Sequence, residues 1–232
     1  MATVTSEKQL AVCIDHTLLS ATATGEQIRQ LCEEAKSYGF CAVSINPRWV
    51  DLAAEQLQGS GVKVACAISL PLGADSTKIK VAQAKDAIFA GADEIDMVAD
   101  LAAIVEEDSR YLLDQLRSVL KVCRSMSPAV LLKVIIESAA LDRVQKIFAC
   151  QIAQQAGVDF IKTSTGMHLA GGATVGDIKL IKEIAPGCKI KAAGGIKTAN
   201  QAFEMLEAGA ERIGTSSGVE IMEELKGRQK QR

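Results

Sequence analysis

One short phrase recurs three times along the chain: Ala90-Gly91-Ala92-Asp93, Ala156-Gly157-Val158-Asp159 and Ala208-Gly209-Ala210-Glu211. Each copy closes a stretch of helical periodicity and opens an apolar run. Glycine readily takes the left-handed backbone that ends a helix, so the phrase marks helix-to-strand joints. Strands are expected at Ala11–Ile14, Cys41–Ile45, Val62–Ile68, Glu94–Val98, Val130–Ile136, Phe160–Thr163, Ile190–Ala193 and Arg212–Gly214. Helices are expected at Thr24–Tyr38, Pro47–Leu57, Ser76–Ala90, Asp108–Ser125, Asp142–Ala156, Val175–Ile184, Ala199–Ala208 and Ser217–Leu225. The polar tail 226–232 is expected to fray. Strict alternation of strand and helix implies a parallel sheet. Eight such units in 232 residues favour a single-domain α/β fold, the closed (β/α)8 TIM barrel. The open doubly wound sheet is the competing arrangement, but no G-x-G-x-x-G follows the first strand.

Composition agrees with a large buried sheet. Hydrophobic residues make up 48% of the chain but aromatics only 3%, so Ala, Val, Ile and Leu must fill the core. The formal net charge of −2 argues against nucleic acid as a partner. No apolar run is long enough to span a bilayer, and the first eight residues hold no apolar signal region. Seven cysteines without a C-x-x-C pair read as buried thiols in a reducing, cytoplasmic setting. With only His16 and His168, a histidine-rich metal site is excluded. His16 reads as structural and His168 as a rim residue.

Two runs carry the chemistry: Phe160-Ile161-Lys162-Thr163-Ser164-Thr165-Gly166 and Lys191-Ala192-Ala193-Gly194-Gly195-Ile196-Lys197. In each, an apolar stretch ends in a lysine followed by glycine-containing turns. A buried ammonium is costly, and a second one nearby makes the first easier to deprotonate. A neutral lysine amine attacks carbonyls. Glycine turns let backbone N–H groups approach an anion such as phosphate. The joint reading is Schiff-base chemistry on a phosphorylated carbonyl compound. Asp15, Asp96 and Lys133 also interrupt apolar strands, and barrel chemistry gathers at the C-terminal strand ends. Alternation of strand faces lets Asp15, Asp96, Lys133, Lys162 and Lys191 converge in one pocket. Each also fits a plainer role: the lysines as solvated rim residues, the aspartates as helix caps or counter-ions, Gly194-Gly195 as a tight turn.

At these residues the chain resembles the deoxyribose-phosphate aldolase family, class I aldolases of the (β/α)8 fold. The resemblance runs from about Leu10 to Leu225. It is carried by Asp15-His16-Thr17-Leu18-Leu19, Asn46-Pro47-Arg48, Pro71-Leu72-Gly73, Glu94-Ile95-Asp96-Met97-Val98, Leu132-Lys133-Val134-Ile135-Ile136-Glu137, Gly171-Gly172-Ala173-Thr174, both lysine runs and Gly214-Thr215-Ser216-Ser217. It implies reversible cleavage of 2-deoxyribose 5-phosphate to glyceraldehyde 3-phosphate and acetaldehyde, without metal or organic cofactor. Lys162 then matches the Schiff-base lysine, Lys191 its charged neighbour and Asp96 the proton-shuttling carboxylate. Asp15 and Lys133 match the inner polar network. Gly166, Gly194, Gly195, Ser216 and Ser217 match the phosphate-holding positions, with Lys197 on the same turn. A homo-oligomer, dimer or tetramer, is also expected. Four places depart from the family pattern. Ser44 stands where relatives often carry cysteine, and Lys197 where arginine is frequent. The Met167–Ala170 loop is longer than usual, and the tail lacks the tyrosine of some members. Two other readings remain: a Schiff-base aldolase for a different sugar phosphate, and a non-catalytic phosphate-binding barrel.

Overall fold

The computed structural model describes the backbone of residues 7–230 and the side chains of residues 7–227. Among them, eight strands pair in parallel, each with the next, and the last closes on the first. They are β1 (Ile14–Leu18), β2 (Ala42–Ile45), β3 (Lys63–Ile68), β4 (Glu94–Val98), β5 (Leu131–Ile135), β6 (Phe160–Lys162), β7 (Lys189–Ala193) and β8 (Arg212–Thr215). The helices are α1 (Glu7–Ala11), α2 (Gly25–Tyr38), α3 (Val50–Leu57), α4 (Thr77–Phe89), α5 (Leu101–Val105), α6 (Ser109–Arg124), α7 (Arg143–Ala156), α8 (Val175–Ile184), α9 (Ala199–Ala208) and α10 (Gly218–Lys230). The (β/α)8 barrel expected from the alternation is therefore the observed fold.

The helix boundaries follow local chemistry. Thr24 and Gln27 form a reciprocal capping box at the start of α2, and Gly39 ends that helix in the left-handed region. Asp142 with Gln145 and Thr198 with Gln201 repeat the box at α7 and α9. Gly157 closes α7 as the recurring phrase implied.

The larger differences from expectation lie at β1, ahead of α6 and at the tail. The apolar run Ala11–Ile14 is not the first strand: α1 ends at Ala11, and β1 begins at Ile14 and runs through Asp15, His16 and Thr17. These polar residues continue the strand because each has a partner: Asp15 meets Arg212 and Lys191, His16 Nε2 meets Glu34 Oε2 at 2.8 Å, and Thr17 Oγ1 donates to Asp15 O at 2.9 Å. The short helix α5, capped by Asp100, lies ahead of α6. The last helix α10 continues past Leu225 to Lys230, into the stretch expected to fray, while 231–232 lie outside the described residues.

The hydrophobic core is an annulus between sheet and helices. Outward-facing Val43, Ile45, Val64, Ile95, Met97, Val134, Ile161 and Ile213 are buried there against Ile28, Leu31, Leu112, Leu116, Val119 and Ile178. Each such burial contributes about 1.5–3 kcal/mol. Strand register resolves the barrel interior into tiers of side chains drawn from alternate strands. From the N-terminal mouth upward these are Ala42, Glu94, Phe160, Arg212; then Asp15, Ala65, Lys133, Lys191; then Ser44, Asp96, Lys162, Gly214; and last Thr17, Ala67, Ile135, Ala193.

Candidate active site

The two middle tiers hold all five residues expected to converge. Lys162 is the last residue of β6, while Lys191 and Lys133 are central in β7 and β5. Asp96 is the middle residue of β4. Asp15 sits lower than expected, second in β1 rather than at its end, because the strand runs on past it. All five are buried, Lys162 at 2% exposure and the others at 0%.

Asp96 is the hub. Its Oδ2 accepts from Lys162 Nζ at 2.9 Å and from Lys191 Nζ at 2.7 Å, and its Oδ1 accepts from Lys133 Nζ at 2.7 Å. Lys191 Nζ also lies 2.5 Å from Asp15 Oδ2. Burial opposes ionisation of Asp96, but the three lysines outweigh it and hold the carboxyl well below its usual range. Asp15, buried beside Lys191 and Arg212, is lowered to about 2. Lys133 moves the other way. Burial disfavours its charge, yet Asp96 and Glu94 raise it above the ordinary lysine value.

Lys162 is brought down to about 8. Burial is the largest cause, Asp96 opposes it, and Lys191 adds a further lowering. The nearby ammonium thus contributes as expected, but removal from water contributes more. A lysine at about 8 carries far more free amine at neutral pH than an unperturbed lysine near ~10.4.

A cavity of about 310 Å³ opens at the C-terminal mouth with Lys162 in its wall. Gly166, Gly194, Gly195, Lys197 and Ser216 all line it, so five of the six expected phosphate positions share one space with the amine. Ser217 stands outside this lining, and its N–H is taken by Thr215 Oγ1 at 2.9 Å. The helix expected from Ser217 begins at Gly218. The two glycine turns touch: a Cβ on Gly172 would lie 2.2 Å from Gly194 O, and Gly194 has a φ of +92°. Only glycine fits that approach, and it leaves backbone rather than side chains facing the cavity. Ala173 N–H ties the turns together by donating to Ala193 O and Gly194 O, each at 3.1 Å.

His16 is buried against Glu34 and Phe40, away from the cavity lining, and His168 is exposed, its Nδ1 accepting from Ala170 N–H at 3.1 Å. Both match their expected structural and rim places. The seven cysteines are unpaired. No helix among the described residues is long and apolar enough to cross a membrane, and no cluster of three potential metal ligands occurs there.

Three contributors escaped the sequence reading. Glu94 and Arg212 open β4 and β8 and lie in the tier below Lys133. Arg212 donates to Asp15 Oδ1 through Nε at 2.6 Å and to both Glu94 oxygens at 3.3 and 3.1 Å. Lys133 Nζ binds Glu94 from above. The signal was parity: Glu94 and Arg212 share strand faces with Asp96 and Gly214. The third is Glu137, at the left-handed turn after β5 with a φ of +52°. It accepts from Thr165 Oγ1 at 2.5 Å, and Thr165 Oγ1 accepts from Met167 N–H at 3.0 Å. That chain of bonds pins the loop that follows Lys162.

Comparison with known proteins agrees with this geometry. The model of the DeoC/LacD family aldolases matches residues 9–224. The deoxyribose-phosphate aldolase of Thermococcus kodakarensis is 48% identical over 221 residues, covering 94% of this chain and 97% of that one. That of Caldicellulosiruptor saccharolyticus is 44% identical over 219 residues, covering 94% and 99%. The solved deoxyribose phosphate aldolase of Aeropyrum pernix, described as tetrameric, superposes with a TM-score of 0.88 at 32% identity, covering 96% of this chain and 93% of that one. A charged barrel interior centred on Asp96, a buried lysine at a glycine-lined cavity and end-to-end similarity converge on one assignment: the chain belongs to the DeoC/LacD family of aldolases.

Proposed function

We propose that this protein is a class I deoxyribose-phosphate aldolase, cleaving 2-deoxy-D-ribose 5-phosphate reversibly to D-glyceraldehyde 3-phosphate and acetaldehyde. The observation that carries the reading is Lys162: a buried amine at about 8, in the wall of the cavity, 2.9 Å from Asp96 Oδ2.

The chemistry follows from that placement. The neutral amine adds to C1 of the open-chain sugar, and loss of water gives an iminium. The C3 hydroxyl gives up its proton, the C2–C3 bond breaks, and its electron pair flows into the iminium to leave an enamine. Glyceraldehyde 3-phosphate departs, C2 takes a proton, and water releases acetaldehyde from Lys162. Asp96 and Lys191 handle the protons near the amine. Lys133 and Asp15 hold these two in place from below. The phosphate sits against the amides of Gly166 and Gly194-Gly195 and beside Ser216, with the exposed Lys197 at the rim.

Borohydride reduction in the presence of acetaldehyde, followed by peptide mapping, tests the reading. The expected label is an ethyl group on Lys162. A label on Lys191 instead, or none, removes the assignment. The same reading places the protein in the cytoplasm, consistent with its unpaired cysteines, and as a homo-oligomer, which sedimentation in solution tests.

A further inference from the structure

The barrel interior holds four basic groups, Lys133, Lys162, Lys191 and Arg212, against three acidic ones, Asp15, Glu94 and Asp96. Interior charge balances only when one of the four bases is neutral. The remaining interior positions of the tiers are uncharged. β2 offers Ala42 and Ser44, and β3 offers Ala65 and Ala67. Lys63, Lys189 and Lys197 are exposed at the two mouths. Lys63 pairs with Asp93, and Lys189 faces Glu211 at 3.9 Å. Glu137 lies past the end of β5, bound to Thr165. The floor is closed by Phe160, over whose ring the Arg212 guanidinium lies at 6.0 Å.

We infer that Glu94 and Arg212, the ion pair of the lowest tier, are positioning residues for the aldol reaction whose opposed charges set how tightly Lys162 holds its proton, Arg212 loosening it and Glu94 tightening it. They touch neither the cavity nor Lys162. Their influence passes up two bridged routes, Glu94 through Lys133 to Asp96, and Arg212 through Asp15 to Lys191. This inference rests on the aldolase reading of Lys162 and adds two residues that it does not contain.

The signs of the two substitutions are opposite. Arg212→Met removes a cation, leaves the interior one charge too negative and makes Lys162 hold its proton more tightly. The acid limb of kcat/KM then moves to higher pH. Glu94→Gln removes an anion and moves the limb to lower pH. Each shift is expected to be on the order of half to one pH unit, the size a buried charge gives across part of a barrel. The double variant Glu94→Gln/Arg212→Met restores the balance and returns the limb to the wild-type position.

The experiment records the pH dependence of deoxyribose 5-phosphate cleavage and of borohydride trapping with acetaldehyde for the wild type and these variants. Opposed single shifts that cancel in the double variant support the inference. Shifts of the same sign, no shift, or an uncorrected double variant overturn it, because packing damage has no sign to cancel. If Arg212→Met does not fold, Arg212→Lys keeps the charge and must keep the wild-type limb while Glu94→Gln alone moves it. A wild type that neither cleaves the substrate nor traps at Lys162 overturns the aldolase reading instead, so the two failures are distinct.

Discussion

Lys162 and Lys191 share one acceptor: both Nζ atoms bind Oδ2 of Asp96, at 2.9 and 2.7 Å. Lys191 has a second anion, Asp15, 2.5 Å from its Nζ, whereas among the described residues Lys162 has Asp96 alone. The two amines are therefore unequal although adjacent. The one with two anions lies buried in the tier below, and the one with a single, shared anion lines the cavity with its proton affinity lowered.

This inequality sets the pH profile. In the proposed mechanism Lys162 attacks the carbonyl as the neutral amine, and its ordinary value is lowered to about 8. Activity on the acid side is expected to fall toward tenfold per pH unit well below that value. Lys191→Leu removes a nearby cation, so Lys162 binds its proton more tightly and the limb moves up. The shift is under about one pH unit, since burial does more of the lowering. A kcat/KM profile across pH 6 to about 10 checks both statements, and an unmoved limb in Lys191→Leu removes Lys191 as a charge effector.

Gly214 shares its tier with Lys162 and Asp96. A Cβ there would stand 3.0 Å from Lys191 Cε and 3.1 Å from Ala193 Cβ. Gly214→Ala is expected to push Lys191 off Asp96 and lower kcat by about 10- to 100-fold, with KM little changed. Steady-state kinetics alongside a melting curve decide it. Unaltered kcat would show that the lysine stem yields without cost.

The glycine turns are expected to grip phosphate. Gly195 has a φ of +80° and open space around it, so a side chain there would stand in the cavity mouth. Gly195→Leu should raise KM for deoxyribose 5-phosphate by about tenfold or more, the loss of one or two charge-assisted hydrogen bonds. Unphosphorylated deoxyribose should lose much less. Equal losses on both sugars would mean that the strained backbone has damaged the barrel.

Ser44 lies in the Lys162 tier on the opposite strand, buried, with its Oγ unpartnered. Self-condensation of acetaldehyde with loss of water gives an unsaturated aldehyde, an electrophile to which thiolates add far more readily than hydroxyls do. Ser44→Cys is expected to lose activity several-fold faster than the wild type in concentrated acetaldehyde. Residual activity after its removal is the measurement, and equal survival would place the damage elsewhere, Lys162 included.

Much of this was legible in the residues. The joints at Gly91, Gly157 and Gly209 gave the alternation and hence the barrel, and the two lysine runs supply the amines that meet Asp96 and much of the cavity lining. What alternation cannot supply is shear. Which inward residues share a tier depends on how far each strand slides past the next, and that emerges only on closure. Hence parity places Glu94 and Arg212 on the inner face, but does not say that they meet Asp15 and Lys133. The apolar run Ala11–Ile14 reads as a strand ending at Asp15, because the partners that let the strand run on through Asp15 and His16, namely Arg212, Lys191 and Glu34, are distant in sequence. Ser217 fitted the glycine–serine motif, yet Thr215 Oγ1 takes its amide.

The contact of Gly172 with Gly194 has a further consequence, for how this enzyme can diversify. If the anion seat is main chain, as proposed, it is insensitive to most side-chain drift, and Gly172 and Gly194 cannot be replaced without moving two loops together. Substitution can act at the rim, where Met167, Lys197 and Ser216 present side chains to the same space. Selection for a new acceptor aldehyde should therefore accumulate changes at those three positions and in loop length, leaving the seat itself untouched.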